Sequence, residues 1–540
     1  MEQTVEKQHA KPLDPMLRTA NALEAAALAV VLLAALALSV TSLVSTNYID
    51  PAHYTAQHVV SRTDSLWFNL AITLAAIALL RTLRRVGVSD RFVKVAAIVI
   101  LSLLAAAGIV WTLMAKAYPT SDQGILYESA RMIVDQDFSE LRNAESYLHF
   151  YFVRFPFQFG FLSYLELLIR AFGEKATLVA APILNVLMLI SGYAALLLTT
   201  RRLFHDNRVT LLTLLFLSAG VQPVLSCTLI YGLIPALSLS LWAAWFTVRF
   251  VQSGRKREIA GIALFCAAAV YMKPNAWIFV VSIAIVLGLT ALRKRRWSPL
   301  IAAAVAVVVC VPLPKIAQNA YEARIGTSAG AGYPMSSWMA MGMREGAMAC
   351  GWYNSYSQEM YRTYGTDIET IKRRNAEDIR DGLAAFAEDP AYAYWFFQDK
   401  FSSQWNEPTF ESVWVSGVCE SYGERSELAE NMYDGEWPGT VYDKAMNYMV
   451  QLIYAGFLLS VLALFKKRDP GQLLYPIAIL GGILFHLLFE ANSKYVISYL
   501  PLFYPLAAYG VLSFKLNIGR LTRLVKRRRN RKKNAAGTAV

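Results

Sequence analysis

Two charged residues, Asp122 and Lys273, stand where apolar runs end, which is where side chains can do chemistry at a membrane surface. Asp122 lies about one helical turn beyond hydrocarbon, where a carboxylate stays ionised and can still reach a lipid headgroup. There it could act as a general base, taking a proton from an incoming hydroxyl. It also precedes a surface helix, Gln123 to Val134, and an acid in that place is a favoured N-cap. Capping alone does not explain its siting beside the membrane. Lys273, followed by Pro274, sits between two apolar runs at headgroup depth and could meet the charge of a departing phosphate. Its bland alternative is snorkelling of the ammonium to the interface. Arg154 and Lys494 stand in similar places and carry the same two readings.

Other polar residues nearby are less telling. Arg131 falls about two and a half turns after Asp122 and is expected to face solvent. His149 could orient a substrate hydroxyl or hydrogen-bond within its own loop. Asp135, Asp137, Glu140 and Glu145 crowd one stretch, but their spacing fits no calcium loop, so a solvated acidic segment is the better expectation. There is no Cys/His cluster of zinc spacing, no GxGxxG and no Walker loop.

The rest of the chain must hold these residues at a membrane. Of its 540 residues 56% are hydrophobic, above the roughly 45–50% of soluble domains, which marks an integral membrane protein. About twelve apolar runs are long enough to span. They lie near Ala22–Val44, Leu66–Leu83, Phe92–Ala115, Thr177–Thr200, Val209–Cys227 and Leu229–Val251. The others are Ile259–Met272, Ala276–Leu292, Pro299–Ile316, Tyr448–Phe465, Leu473–Phe489 and Tyr495–Phe514. The first is long enough to be a retained span rather than a signal peptide.

The net charge of +13 would suggest nucleic acid on a soluble protein, but here the basic residues fall in alternate loops. Arg81/Arg84/Arg85/Arg91/Lys94, Arg201/Arg202/Arg208, Arg255/Lys256/Arg257, Arg293–Arg296, Lys466/Lys467/Arg468 and the tail Lys526–Lys533 share one side. The positive-inside rule makes that side cytoplasmic, with both termini, and puts Asp122 and Lys273 outside. The tail is expected to rest on anionic lipid. Phe157–Phe172 carries Glu166 and Arg170 and breaks the alternation if it crosses, so it is expected to be re-entrant or interfacial.

A second outward segment, residues 318–447, is rich in acids and is expected to be mostly helical, with helices at Asp367–Phe386 and Pro390–Phe401. Tyr392, Trp395, Phe396 and Phe397 repeat at helical spacing, which suits packing against the membrane domain better than sugar stacking. Gly326–Gly332 is expected to be mobile. Cys350 and Cys419 share this oxidation-permissive loop and are either a disulfide or two free thiols.

Ser121-Asp122-Gln123-Gly124 with Tyr127 and Ala130 resembles the first outer loop of the GT-C glycosyltransferases, including the protein O-mannosyltransferases and the aminoarabinose transferase. Arg154-Phe155-Pro156-Phe157, with the helix ending Ala171-Phe172-Gly173, is similar to the family's His-Pro-Pro segment. Tyr271-Met272-Lys273-Pro274 is similar to its Thr-Lys-Pro hairpin, and Lys494-Tyr495 with Leu500-Pro501 to its Arg-Tyr and Leu-Pro pattern. Gln123 replaces the second acid of many relatives, and aromatics interrupt the proline segment. The motifs span about Phe92 to Phe514.

The resemblance implies an all-α membrane protein with a GT-C-like core, an outer-face re-entrant or interfacial helix and an extracytoplasmic helical loop domain. The implied division is 1–91 (N-terminus and an added two-helix hairpin), 92–317 (core, with a catalytic loop at 116–176), 318–447 (loop domain), 448–514 (last spans) and 515–540 (tail). It implies a lipid-linked sugar donor, namely a polyprenyl-phosphate sugar, and an extracytoplasmic glycan, lipid or protein acceptor. It further implies no metal cofactor and a bacterial plasma membrane, while displacement with Asp122 as base and the phosphate leaving from the opposite face predicts inversion at the anomeric carbon. Asp122 would be the catalytic base, with Lys273, Arg154, Lys494, Tyr127, His149 and Gln123 binding substrate. The rival is a transporter or flippase of a lipid-linked saccharide. Transporters commonly carry a repeat between halves, and none is visible here.

Overall fold

A computed structural model describes residues 15–50, 57–466 and 468–513 of the chain. The fold is helical, as its composition requires. Among the described residues, nine helices are long and apolar enough to cross a membrane, or eleven if each of two bent pairs is one span. The expected twelve is therefore not reached by this measure. Three of the twelve runs account for the shortfall. Val209–Cys227 breaks at Gly220 into Asn207–Ala219 and Gln222–Thr228, bent by 49°. Ile259–Met272 lies in a sixteen-residue helix, Arg257–Met272, and the described part of Tyr495–Phe514 is divided between the 3-10 helix Ser493–Ser498 and the short helix Leu500–Ser513. The tail from residue 514 and the first fourteen residues lie outside the described residues, as do the expectations placed on them.

Some helices start at a residue whose side chain caps them. Ser89 accepts the amide of Phe92 at 3.1 Å and opens Asp90–Ala115, with Asp90 in the first turn. That helix exposes Ile98 and Leu103, the outward apolar surface of a lipid-facing span. The central helix Leu233–Ser253 packs between Glu174–Phe204 and Arg257–Met272, and Trp437–Leu464 packs along Leu500–Ser513. At the end carrying the basic loops, buried Glu24 accepts Arg293 at 3.1 Å and Arg468 at 3.0 Å, tying the first helix to the core.

Two features depart from the sequence-based expectations. Ser45–Ile49 and Val59–Thr63 pair as an antiparallel hairpin between the first two helices. Gly326–Gly332 is tied down: the Gln318 amide donates to Gly330 O at 2.5 Å, and the Tyr333 amide donates to Arg154 O at 3.1 Å. The loop domain contains Ile368–Glu388, capped by Asp367, and Pro390–Trp405, capped by Asp389. Its aromatic stripe packs inside that domain, where Phe396, Phe397 and Tyr392 surround Phe386.

The two loop cysteines do not pair. Cys350 lies beside Phe386 and Phe396, its amide donating to Asp399 at 2.9 Å. Cys419 Sγ faces the Thr120 hydroxyl and the Gln123 amide, each at 3.4 Å. Both thiols are free and buried, each in a different cluster.

Candidate active site

The helix bearing Asp122, Ser121–Val134, has Thr120 as its N-cap without a side-chain capping bond. Asp122 thus sits inside the first turn and its carboxylate is not spent on capping. Instead Oδ2 accepts the Tyr231 hydroxyl at 2.6 Å. Among the described residues Oδ1 takes no hydrogen bond, and Asp122 is exposed. One carboxylate oxygen is held and the other is open to a ligand.

Tyr231 is positioned by the turn that precedes Leu233–Ser253. The Gln123 side-chain carbonyl accepts the Ile230 amide at 2.9 Å, and buried Asn185 donates to Cys227 O and Leu229 O at 3.0 and 3.1 Å. Gly232, at φ +77°, lets this turn approach the Met272 carbonyl, where a Cβ would collide. Gly160 of helix Phe159–Phe172 meets the Tyr271 carbonyl in the same way. Two glycines therefore clamp the backbone that ends at Lys273.

Lys273 is extended, at φ −155° and ψ 120°, because Pro274 disfavours helical geometry in the residue before it. That break turns its ammonium back over the face of Tyr231, 3.2 Å from the ring centroid. Burial pushes Lys273 down to about 7, with the field of Asp122 opposing the shift and that of Lys494 adding to it. Glu490, just past helix Leu474–Leu488, also interacts with Asp122, Lys273 and Lys494, and burial pushes its carboxyl up to about 7. Tyr495 donates to Glu490 Oε1 at 3.2 Å.

Tyr231 also accepts a hydrogen bond from Gln158 at 2.8 Å, and the same amide reaches the Tyr151 hydroxyl at 3.1 Å. Gln158 lies in the sharp turn made by Pro156, where helices Tyr147–Arg154 and Pro156–Phe172 meet at 95°. Arg154, at the same turn, is 2% exposed and sandwiched between Phe150 and Phe155, 3.7 and 4.7 Å from their centroids. It feels the field of Asp122 and lines a cavity of about 230 Å³ with Phe157, Lys315, Gln318 and Tyr333.

Lys273 and Arg154 thus both feel the field of Asp122, and Lys494 acts on Lys273 and Glu490. The other expected contacts are engaged elsewhere. Tyr127 donates to Glu174 O at 2.7 Å, His149 Nδ1 lies 2.8 Å from Leu141 O, and Gln123 spends both ends of its amide on Ile230 and Cys419. These three hold the scaffold rather than face the open oxygen of Asp122. Arg131 is partly exposed and pairs with Glu128 and Asp135. Asp137 accepts the Ser139 amide at 3.0 Å, a local turn contact.

Asp122, Tyr231, Lys273 and Glu490 lie at the ends of their helices opposite to the basic loops. Asp122 with one open oxygen, Lys273 seated on Tyr231 and the helix Pro156–Phe172, turned back by 95°, are thus brought to that same end. Residues 158–316 match the family model for dolichyl-phosphate-mannose-protein mannosyltransferase. That stretch includes Gln158, Tyr231 and Lys273, begins beyond Asp122 and Arg154, and supports the GT-C resemblance. The crystal structure of ArnT from Cupriavidus metallidurans bound to undecaprenyl phosphate aligns over 77% of each chain, at 13% identity and a TM-score of 0.32. At that score the likeness bears no weight for function. No curated protein matches the sequence.

Proposed function

We propose that the chain transfers a sugar from a polyprenyl-phosphate donor to an acceptor hydroxyl on the outer side of the membrane, with Asp122 as general base. The observation that carries this reading is the Asp122–Tyr231–Lys273 unit, in which one tyrosine orients a carboxylate by its hydroxyl and seats an ammonium on its ring. Asp122 Oδ1 takes the acceptor's proton, the acceptor oxygen forms a bond to the anomeric carbon, and the bond from that carbon to the phosphate oxygen breaks. The electron pair leaves with polyprenyl phosphate, and attack from the opposite face inverts the centre.

The developing charge on the phosphate falls to Lys273, Lys494 and Arg154. In this reading side-chain cations do the work, and no metal is required. The basic-loop alternation supports an outward site and cytoplasmic termini. Comparing envelope glycans and polyprenyl-phosphate sugars by mass spectrometry, in cells with and without the protein, tests the function. Accumulation of one charged lipid with loss of one glycan residue is expected, and an unchanged profile would end the proposal.

A further inference from the structure

The hairpin between the first two helices is built into the loop domain, which the membrane core alone does not require. The Asn47 amide donates to Asn406 O at 3.1 Å and the Val59 amide to Met348 O at 3.0 Å. Asn406 Nδ2 returns a bond to Ser45 O at 2.8 Å, and Asn447 Nδ2 donates to Thr46 Oγ1 at 2.7 Å. Two residues before the second strand, Gln57 is buried, 6% exposed, with a left-handed backbone at φ +51°. Its Nε2 donates to Glu411 Oε2 at 2.6 Å, across 354 residues of sequence.

Glu411 is fully buried and follows Phe410 in a run of two left-handed residues, at φ +50° and +55°. Such a backbone persists only where surrounding contacts hold it. Its Oε1 accepts the Ser493 hydroxyl at 2.8 Å and lies 3.4 Å from the Lys494 amide. Its Oε2 faces two donors, the Gln57 amide at 2.6 Å and the Lys494 ammonium at 3.9 Å. The first is a hydrogen bond and the second is too long to be one. The carboxylate is therefore satisfied by an uncharged amide while the lysine stays beyond hydrogen-bonding distance.

We infer that Gln57 is a positioning residue for Lys494: it holds the Glu411 carboxylate off the ammonium, which stays available to the donor phosphate. The inference rests on the reading above that Lys494 meets that phosphate. Without the amide, a buried carboxylate oxygen is left unsatisfied, and the nearest donor is Lys494. The ammonium closes to a direct ion pair and is withdrawn from the phosphate. On this account the first two helices and their hairpin tune the affinity of a site that they do not themselves touch.

The test measures binding of undecaprenyl phosphate to the purified full-length protein in nanodiscs, by tryptophan fluorescence, with melting temperature recorded for each variant. Gln57→Ala weakens binding about tenfold or more, the scale of one charge-assisted hydrogen bond to the ligand. Glu411→Gln alone binds as tightly as wild type or tighter, and the double variant returns to within about twofold of wild type. If Gln57→Ala does not fold, Gln57→Met keeps the bulk without the donor and takes its place. Unchanged binding by Gln57→Ala, weakened binding by Glu411→Gln, or a double variant as weak as the single overturns the inference. Lys494→Gln separates the layers. If it binds like wild type, the phosphate role of Lys494 falls and the inference with it; if it is weakened while Gln57→Ala is not, only the inference falls.

Discussion

Tyr231 donates its hydroxyl to Asp122 at 2.6 Å although 109 residues separate them in sequence. The bond fixes which carboxylate oxygen is free. Lys273 rests on the same ring at 3.2 Å, so the two charges are set relative to each other by one rigid side chain.

Tyr231→Phe separates the two functions of that ring. The cation keeps its aromatic seat while the acid loses its orienting bond. Turnover should fall about tenfold or more, the scale of a hydrogen bond to a charged group, while donor affinity stays within about twofold. Steady-state kinetics in proteoliposomes check it. A donor KM that rises with unchanged kcat would show that the hydroxyl serves binding instead.

Asp122→Asn tests the base itself. Asn keeps the shape and can still accept from Tyr231, so folding and donor binding should persist. Loss of a general base typically costs a rate factor of about a hundred to ten thousand. Asp135→Asn and Asp137→Asn, which lie on the turn beyond the helix, should keep most activity. Wild-type turnover by Asp122→Asn would end the assignment.

The readable part of the site is the part written into span ends. Asp122 and Lys273 each stand where an apolar run stops, and a proline beside the lysine fixes its backbone. Glu490 satisfies the same rule, directly after the run Leu473 to Phe489, and only the structure sets it beside Lys273 and Lys494. Tyr231 and Gln158 have no such signature, because their roles depend on contacts made across 109 and 73 residues. Tyr127 and Gln123 show the converse. Their spacing from Asp122 fits the resemblance, yet helical geometry turns both toward neighbouring backbone. The hairpin Ser45–Thr63 escapes a reading by hydropathy since its five-residue strands are held by distant loop residues.

Phe204 ends helix Glu174–Phe204, at the end that the proposed topology places in the cytoplasm. The five native cysteines are all buried, so background labelling should be low. Phe204→Cys should resist an impermeant maleimide in intact cells and react once the membrane is opened. Strong labelling in intact cells would invert the topology and move the site to the inner face.

The pH dependence of donor binding follows from Lys273 and Glu490, both at about 7. The lysine carries its charge below that value and loses it above, while the glutamate is neutral below and anionic above. Raising pH from 6 to 8 therefore removes a positive charge and adds a negative one beside the phosphate, and both changes weaken binding. A charge-assisted hydrogen bond is worth about 1.5 to 3 kcal/mol, so its removal corresponds to tenfold or more in affinity. Lys273→Arg keeps its charge throughout, so its profile should be flatter than that of wild type. Adding Glu490→Gln should flatten it further, and whatever remains belongs to the ligand's own ionisation. Affinities of undecaprenyl phosphate for the wild-type, single-variant and double-variant proteins over pH 6 to 8 measure each share. A Lys273→Arg profile as steep as that of wild type would take Lys273 out of the phosphate site.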